Sequence, residues 1–198
     1  PNKKDYASHR LNYSLIDADT PCYDKLMSVL YSEDERHKIE WAIGSIVAGK
    51  SKSIQKFMVL YGSHGTGKST VLNIINRLFD GYCATFEAKA LGSNNAQFSL
   101  EPFKNNPLVG IQQDGDLSRI EDNSRLNSLV SHEKLNVNEK HKSLYEMSFN
   151  AFLFMGTNRP VRITDSRSGI IRRLIDVEPT GNTLSKAQWS KCNKGVDF

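Results

Sequence analysis

The stretch that decides the fold is YGSHGTGKST, from Tyr61 to Thr70. It contains the nucleotide-binding signature Gly62-x-x-x-x-Gly67-Lys68-Ser69 directly after an apolar run. Phosphates need several N–H donors aimed at one place, and glycines keep side chains out of the way. We predict that the loop binds the phosphates of ATP, with Lys68 on the β and γ oxygens and Ser69 on Mg²⁺. The predicted contacts are Gly62, Ser63, His64, Gly65, Thr66, Gly67, Lys68, Ser69 and Thr70.

The segments on either side of the loop predict an α/β fold. KFMVLY, Lys56 to Tyr61, is typical of a buried parallel strand, and a helix should run from Lys68 to about Asp80. Further buried strands are predicted at Pro107–Ile111, Ala151–Asn158 and Leu174–Val177. We therefore expect a P-loop core with a parallel sheet over residues 51–181. A small helical segment, 1–50, should precede it, and a tail, 182–198, should follow.

Composition excludes some classes of protein. The chain has 198 residues, 38% hydrophobic and 24% charged, which suits one sizeable globular domain. No apolar stretch approaches the ~20 residues of a membrane span, and no signal peptide is recognisable. The cysteines, Cys22, Cys83 and Cys192, are far apart, which favours a reduced intracellular compartment. A net charge of +4 permits a nucleic-acid partner without requiring one. Since the chain does not begin with Met, we interpret it as a fragment of a longer protein.

Acidic residues after the second long strand are candidates for holding Mg²⁺. Asp114 and Asp116 follow that strand, and we favour Asp114 over Asp116. Gln112 and Gln113 stand where an acidic pair would leave the strand directly, so either aspartate could be a simple turn residue. Glu133 is a weaker third candidate for a role near the phosphates.

An asparagine and two arginines complete the catalytic candidates. Asn158 follows the third long strand, where its amide could bond the γ-phosphate or align the attacking water. Arg172 and Arg173 stand just before the last strand and could stabilise charge on the transferring phosphoryl group. By themselves, the asparagine could belong to a turn and the arginines to a solvated surface.

Several pieces of the chain resemble one family. The lead-in EWAIGSIVAGKSKSIQKFMVLYGSHGTGKST carries Gly44 and the pair Gln55-Lys56 ahead of the phosphate loop. A hairpin, Leu135–Phe149, followed by an asparagine-bearing strand is predicted from SHEKLNVNEKHKSLYEMSFNAFLFMGTNRPV. The arginines lie in SGIIRRLIDVEPTG. Together they resemble the superfamily 3 helicases, in the phage and plasmid primase-helicase group that includes the poxvirus primase-helicase. The glutamines at 112 and 113 depart from that family's acidic pattern.

The resemblance implies an AAA+-like core that works as a homo-oligomeric ring, a hexamer, with ATP at the subunit interfaces and single-stranded or forked DNA through the centre. Asn158 would sense the γ-phosphate, and Arg172 or Arg173 would reach the neighbour's ATP. The hairpin would line the channel, and Lys140, His141 and Lys142 at its tip would grip phosphates without reading sequence. A primase domain would lie elsewhere in the full-length chain, in the cytoplasm of a bacterial host if the protein is phage-encoded.

Two other functions remain open. The glutamine pair suits a non-catalytic ATP-binding loader or nucleic-acid-binding subunit. A P-loop small-molecule kinase is a further alternative, but it needs an acceptor pocket and an arginine-bearing lid, and no such insertion is recognisable.

Overall fold

A computed structural model gives the architecture and describes residues 10–92, 98–115, 124–138, 143–159 and 169–187. The described α-helices are α1 (Pro21–Leu30), α2 (Glu33–Val47), α3 (Ser51–Ile54), α4 (Lys68–Leu78), α5 (Ala88–Leu91) and α6 (Ser124–Val130). The described strands are β1 (Phe57–Tyr61), β2 (Cys83–Thr85), β3 (Val109–Gln112), β4 (Leu135–Val137), β5 (Tyr145–Met147), β6 (Phe152–Thr157) and β7 (Leu174–Val177). Short 3₁₀ turns cover Glu101–Phe103 and Ile171–Arg173.

Five of these strands form a parallel sheet in the order β2-β3-β6-β1-β7. The predicted α/β fold with a parallel sheet behind a helical segment is therefore confirmed. The strand that the sequence did not predict is β2, because Cys83–Thr85 is short, carries no apolar run and is only partly buried. β4 and β5 pair antiparallel as a separate hairpin, with Leu135 opposite Met147.

The sheet lies between two apolar layers because alternate residues of its strands face opposite sides. Met58 and Leu60 of β1 face the layer that contains α1, α2 and α4. Phe57 and Val59 face the layer that contains α5, α6 and the hairpin. All four side chains are fully buried, which is why the run reads as continuously apolar in the sequence.

The parallel register gives the sheet two unlike edges. At the carboxyl edge, Tyr61 of β1 lies opposite Thr157 of β6, and β3 ends at Gln112, opposite Met155 of β6. At the amino edge, Phe57 of β1 lies opposite Leu153 on one side and Leu174 on the other. Loops that leave the carboxyl edge of such a sheet form its usual ligand-binding crevice.

No helix in the described residues is long and apolar enough to cross a membrane.

Candidate nucleotide site at the carboxyl edge

The phosphate loop leaves β1 at the carboxyl edge and ends where α4 begins. Gly67 is the N-cap of α4, with φ of 83°. A side chain there would be strained by this backbone conformation, and its Cβ would lie 2.5 Å from Cδ1 of Leu30. The loop can therefore follow this path only with glycine at position 67. Because the loop ends at the N-terminus of α4, the free N–H groups and the positive dipole end of this 11-residue helix face the loop.

Lys68 is held inside the loop. Its side chain is 7% exposed, and its Nζ donates to the carbonyl oxygens of Gly62 at 2.7 Å and Ser63 at 2.8 Å. Burial lowers the pKa of Lys68 from its ordinary value, and the charge of Asp114 acts in the opposite direction. An ammonium ion that is poorly hydrated and surrounded by carbonyl oxygens is well placed to bind phosphate oxygens instead.

Asp114 and Asn158 meet across the ends of two neighbouring strands. Asp114 follows β3 and Asn158 follows β6, and Nδ2 of Asn158 donates to Oδ1 of Asp114 at 3.3 Å. Both side chains line the same cleft as Lys68 and Ser69. The structure thus brings together the sequence-predicted aspartate, amide, lysine and serine.

The two glutamines before Asp114 have separate roles. Gln112 is buried, and its Oε1 accepts a hydrogen bond from the backbone N–H of Ala88 at 2.9 Å, so it supports α5 rather than the cleft. Gln113 lines the cleft, and its Nε2 donates to Oδ1 of Asn73 on α4 at 2.8 Å. The described part of the site therefore carries an amide beside its one carboxylate.

The cleft has a volume of about 690 Å³, within the usual range for small-molecule sites. From the predicted phosphate loop, His64, Gly65, Thr66, Gly67, Lys68, Ser69 and Thr70 line it. Gly62 and Ser63 contribute the carbonyl groups that hold Lys68. The loop, Lys68 and the helix end suit a triphosphate.

These residues also fit a magnesium ion that arrives with the nucleotide. The described residues contain no cluster of three or more His, Cys, Asp or Glu side chains that could hold a metal on its own. Mg²⁺ commonly binds through one or two protein oxygens together with substrate phosphates and waters. Ser69 and Asp114 could supply those oxygens.

Arg172 and Arg173 lie at the other edge of the sheet. They occupy the 3₁₀ turn immediately before β7, whose first residue, Leu174, lies opposite Phe57 at the start of β1. The phosphate loop begins only after the end of β1, about 17 Å further along at 3.3 Å per residue. Neither arginine lines the cleft. The buried Nε of Arg173 has no hydrogen-bond partner within the described residues.

The remaining candidates lie away from the cleft or outside the described residues. Glu133 accepts a hydrogen bond from Oγ of Ser128 at 2.8 Å and does not line the cleft. Its neighbour His132 is buried at the base of the hairpin, with Nδ1 2.5 Å from the carbonyl oxygen of Phe149. Four predicted residues fall outside the described parts of the chain, namely Asp116, Lys140, His141 and Lys142.

Sequence reasoning missed the apolar side of the cleft. Leu26 and Leu30 of α1, Ile74 of α4 and Leu184 after β7 also line it. Their spacing in the sequence indicates ordinary core positions, since helical periodicity cannot distinguish a residue that faces a ligand from one that faces the core.

A family model described as a family of unknown function, DUF5906, matches residues 60–173, more than half of the chain. The chain belongs to the DUF5906 family. The matched segment of this DUF5906 domain includes the phosphate loop, Asp114, Asn158 and both arginines. No curated protein sequence matches the chain.

Solved structures show which fold the DUF5906 domain shares. It is similar to the apo C-terminal region of NrS-1, residues 305–718, with a TM-score of 0.68 and 17% identity over 91% of this chain. A second apo structure of that region, its A form, gives a TM-score of 0.67 and 18% identity. JCV helicase, bound to a small molecule, gives a TM-score of 0.54 and 13% identity over 80% of this chain. The chain spans 44% of the length of each of these structures. At such identities the likeness establishes a helicase-like fold.

Proposed function

We propose that this DUF5906 domain is the ATP-dependent DNA helicase module of a phage-type replication primase-helicase. It hydrolyses ATP at the interfaces of a homo-oligomeric ring and uses the energy to move along single-stranded DNA. The observation that carries the proposal is the contact between Asp114 and Asn158 in the cleft that Lys68 and the phosphate loop line.

Four polar residues of the cleft have chemical roles in this proposal. Lys68 binds the β and γ oxygens, and Ser69 and Asp114 hold Mg²⁺, which neutralises charge on the phosphates when it is bound. Asn158 senses the γ-phosphate and helps to align the attacking water. Its amide does this without adding a negative charge beside the phosphates, and its bond to Asp114 keeps the two groups in register.

The arginines suit a site that two copies of the chain complete. Since Arg172 and Arg173 lie at the amino edge, they cannot reach a nucleotide bound at the carboxyl edge of the same sheet. In a ring, the amino-edge turn of one copy can face the cleft of the next. An arginine supplied in this way makes hydrolysis depend on the position of the neighbour.

A non-catalytic ATP-binding loader is the second candidate, and Gln113 favours it. An amide occupies the cleft position next to Asp114, so a second carboxylate is lacking there to polarise the attacking water. Such a subunit would bind ATP and use it only to assemble.

The test is to measure ATP hydrolysis by the purified chain with and without single-stranded DNA. A helicase motor should turn over ATP and be stimulated by DNA, whereas a loader should bind ATP without turnover, and a kinase should phosphorylate a small acceptor. Lys68→Ala should abolish turnover with the fold intact, because alanine is tolerated at the start of α4. Lys89→Ala, on the exposed face of α5, is the matched control. Wild-type turnover in the Lys68 variant would contradict the proposal.

A further inference from the structure

The two sides of the cleft differ in chemistry, and α4 separates them. On one side, Asn73 of α4 bonds Gln113, beside Asp114 and Asn158. The next residue, Ile74, points about 100° further round the helix and lines the cleft with Leu26 and Leu30 of α1. The first side therefore offers hydrogen-bonding groups to phosphate and metal, whereas the second offers only aliphatic carbon from the side chains described there.

The segment after β7 completes the aliphatic side, and the structure shows how it is fixed. The backbone N–H of Thr180 donates to the carbonyl oxygen of Leu30 at 2.8 Å, and its Oγ1 donates to that of Val29 at 2.8 Å. These carbonyls belong to the last turn of α1, where helical partners are lacking. Thr180 thus joins the end of the core to the end of the first helix.

Pro179 and Gly181 direct the chain on both sides of that anchor. Pro179 is buried against the start of the phosphate loop, where a Cβ on Gly62 would lie 3.1 Å from its Cγ. Gly181 has φ of 83°, which turns the chain, and Leu184 is then partly buried in the wall of the cleft. The segment from Pro179 to Leu184 therefore connects the phosphate loop, α1 and the aliphatic side of the cleft.

We propose that Leu26, Leu30 and Leu184 form a nucleobase slot, which the segment after β7 closes over the base. The inference rests on the proposed function, since it assigns the base of the same nucleotide whose phosphates the loop binds. Aliphatic side chains cannot stabilise phosphates, but they suit the flat, weakly polar faces of a purine. The loop and the slot share one cleft of about 690 Å³, so a single nucleotide can occupy both.

Among the described residues, Leu26, Leu30 and Leu184 offer the base only aliphatic carbon, so this slot recognises the base by shape rather than by hydrogen bonds from side chains. An aliphatic pocket discriminates between ligands of similar size by a factor of about 10 to 200, whereas a pocket built to hydrogen-bond a substrate reaches about 10⁴. The affinities of adenine and guanine nucleotides should therefore differ by no more than about 200-fold.

The experiment separates the base from the phosphates by using two probes, AMP-PNP and inorganic tripolyphosphate. Their affinities are measured by calorimetry for the wild type, Leu26→Ser, Leu184→Ser and the control Leu15→Ser, whose leucine is 70% exposed. Both slot variants should bind AMP-PNP about tenfold more weakly and tripolyphosphate as the wild type does. Leu15→Ser should match the wild type for both probes, and GMP-PNP should bind the wild type within about 200-fold of AMP-PNP.

Each contrary result has a distinct meaning. Unchanged AMP-PNP affinity in Leu184→Ser and Leu26→Ser, with wild-type binding intact, would overturn the slot and leave the proposed function standing. Equal losses for AMP-PNP and tripolyphosphate would overturn it too, since the leucines would then act through the loop. So would a preference for AMP-PNP over GMP-PNP of more than about 200-fold. If the wild type bound neither AMP-PNP nor tripolyphosphate, both the slot and the proposed function would be overturned.

Discussion

The carboxyl and amino edges of the sheet carry different halves of the candidate machinery. At the carboxyl edge, the candidate groups hydrogen-bond to one another within one chain. Lys68 donates to the loop carbonyls, and Asn158 donates to Asp114. The amino edge holds Arg172 and Arg173 a full strand length from that cleft, with the Nε of Arg173 buried and unbonded among the described residues. The difference teaches that the candidate phosphate-binding groups share one cleft within a single chain, whereas the two arginines lie too far along the sheet to join them there.

The largest expected effect comes from removing the two arginines at the amino edge. Arg172→Ala/Arg173→Ala should lower ATP turnover by ~10³-fold, because a cation at the transferring phosphoryl group is worth that much or more. Lys68→Ala should be equally inactive. An equal mixture of the two proteins should recover activity, since about a quarter of the interfaces in a mixed ring would pair an intact loop with intact arginines. Steady-state ATPase assays at ring-forming concentrations measure this.

Two results would contradict action in trans. One is normal turnover in the double arginine variant. The other is a mixture that stays inactive although mixed oligomers are shown by native mass spectrometry.

A smaller effect is expected at the carboxyl edge, from replacing the aspartate that would bind Mg²⁺. Asp114→Asn should reduce turnover by ~100-fold, because the variant would bind Mg²⁺ more weakly, and a bound metal ion stabilises the charge of the transition state by several kcal/mol. Asp116→Asn should keep much of the activity, and it is the matched control two residues away. Measuring the magnesium dependence of ATPase activity in both variants tests the assignment. If Asp116→Asn is the inactive variant, the metal ligand lies two residues further on, and if neither matters, Glu133 or another carboxylate must be considered.

The third prediction concerns the hairpin that β4 and β5 form. Replacing Lys140, His141 and Lys142 by alanine should weaken single-stranded DNA binding and reduce its salt slope by up to ~2, since up to three phosphate contacts are lost. ATP hydrolysis without DNA should survive. Fluorescence anisotropy over a range of salt concentrations measures the slope, and an unchanged slope would show that the tip is a solvated turn.

The smallest effect is a dependence of stability on pH. Because burial lowers the pKa of Lys68 below its ordinary value of 10.5, the folded protein loses this proton before the unfolded chain does. The burial cost is fully present below the folded-state pKa and disappears as the pH rises towards the unfolded value. The wild type should therefore gain stability relative to Lys68→Met as the pH rises through the folded-state pKa of Lys68 towards its ordinary value of 10.5. Denaturant midpoints measure this, with Lys89→Met as the control, and a constant difference across the range would contradict it.

Much of the fold could be predicted because its signals are local. The predicted strand Leu174–Val177 matches β7, and the other predicted strands overlap β1, β3 and β6, since each is an apolar run bounded by polar residues. β2 could not be predicted, because its three residues form a strand only by pairing with β3. The domain boundaries at residues 50 and 181 stay a prediction, as does the function of the hairpin tip.

The sequence by itself determined the phosphate loop, because its donors, its lysine and its serine lie within Gly62–Thr70 and need only a strand before and a helix after. Only the tertiary structure decided which distant groups share its cleft. Asn158 meets Asp114 across 44 positions, and Thr180 meets Val29 across 151. Such contacts depend on the order and register of parallel strands, which no local pattern contains. The same register sends Arg172 and Arg173 to the opposite edge, so the structure also decided that these arginines lie apart from the cleft of their own chain.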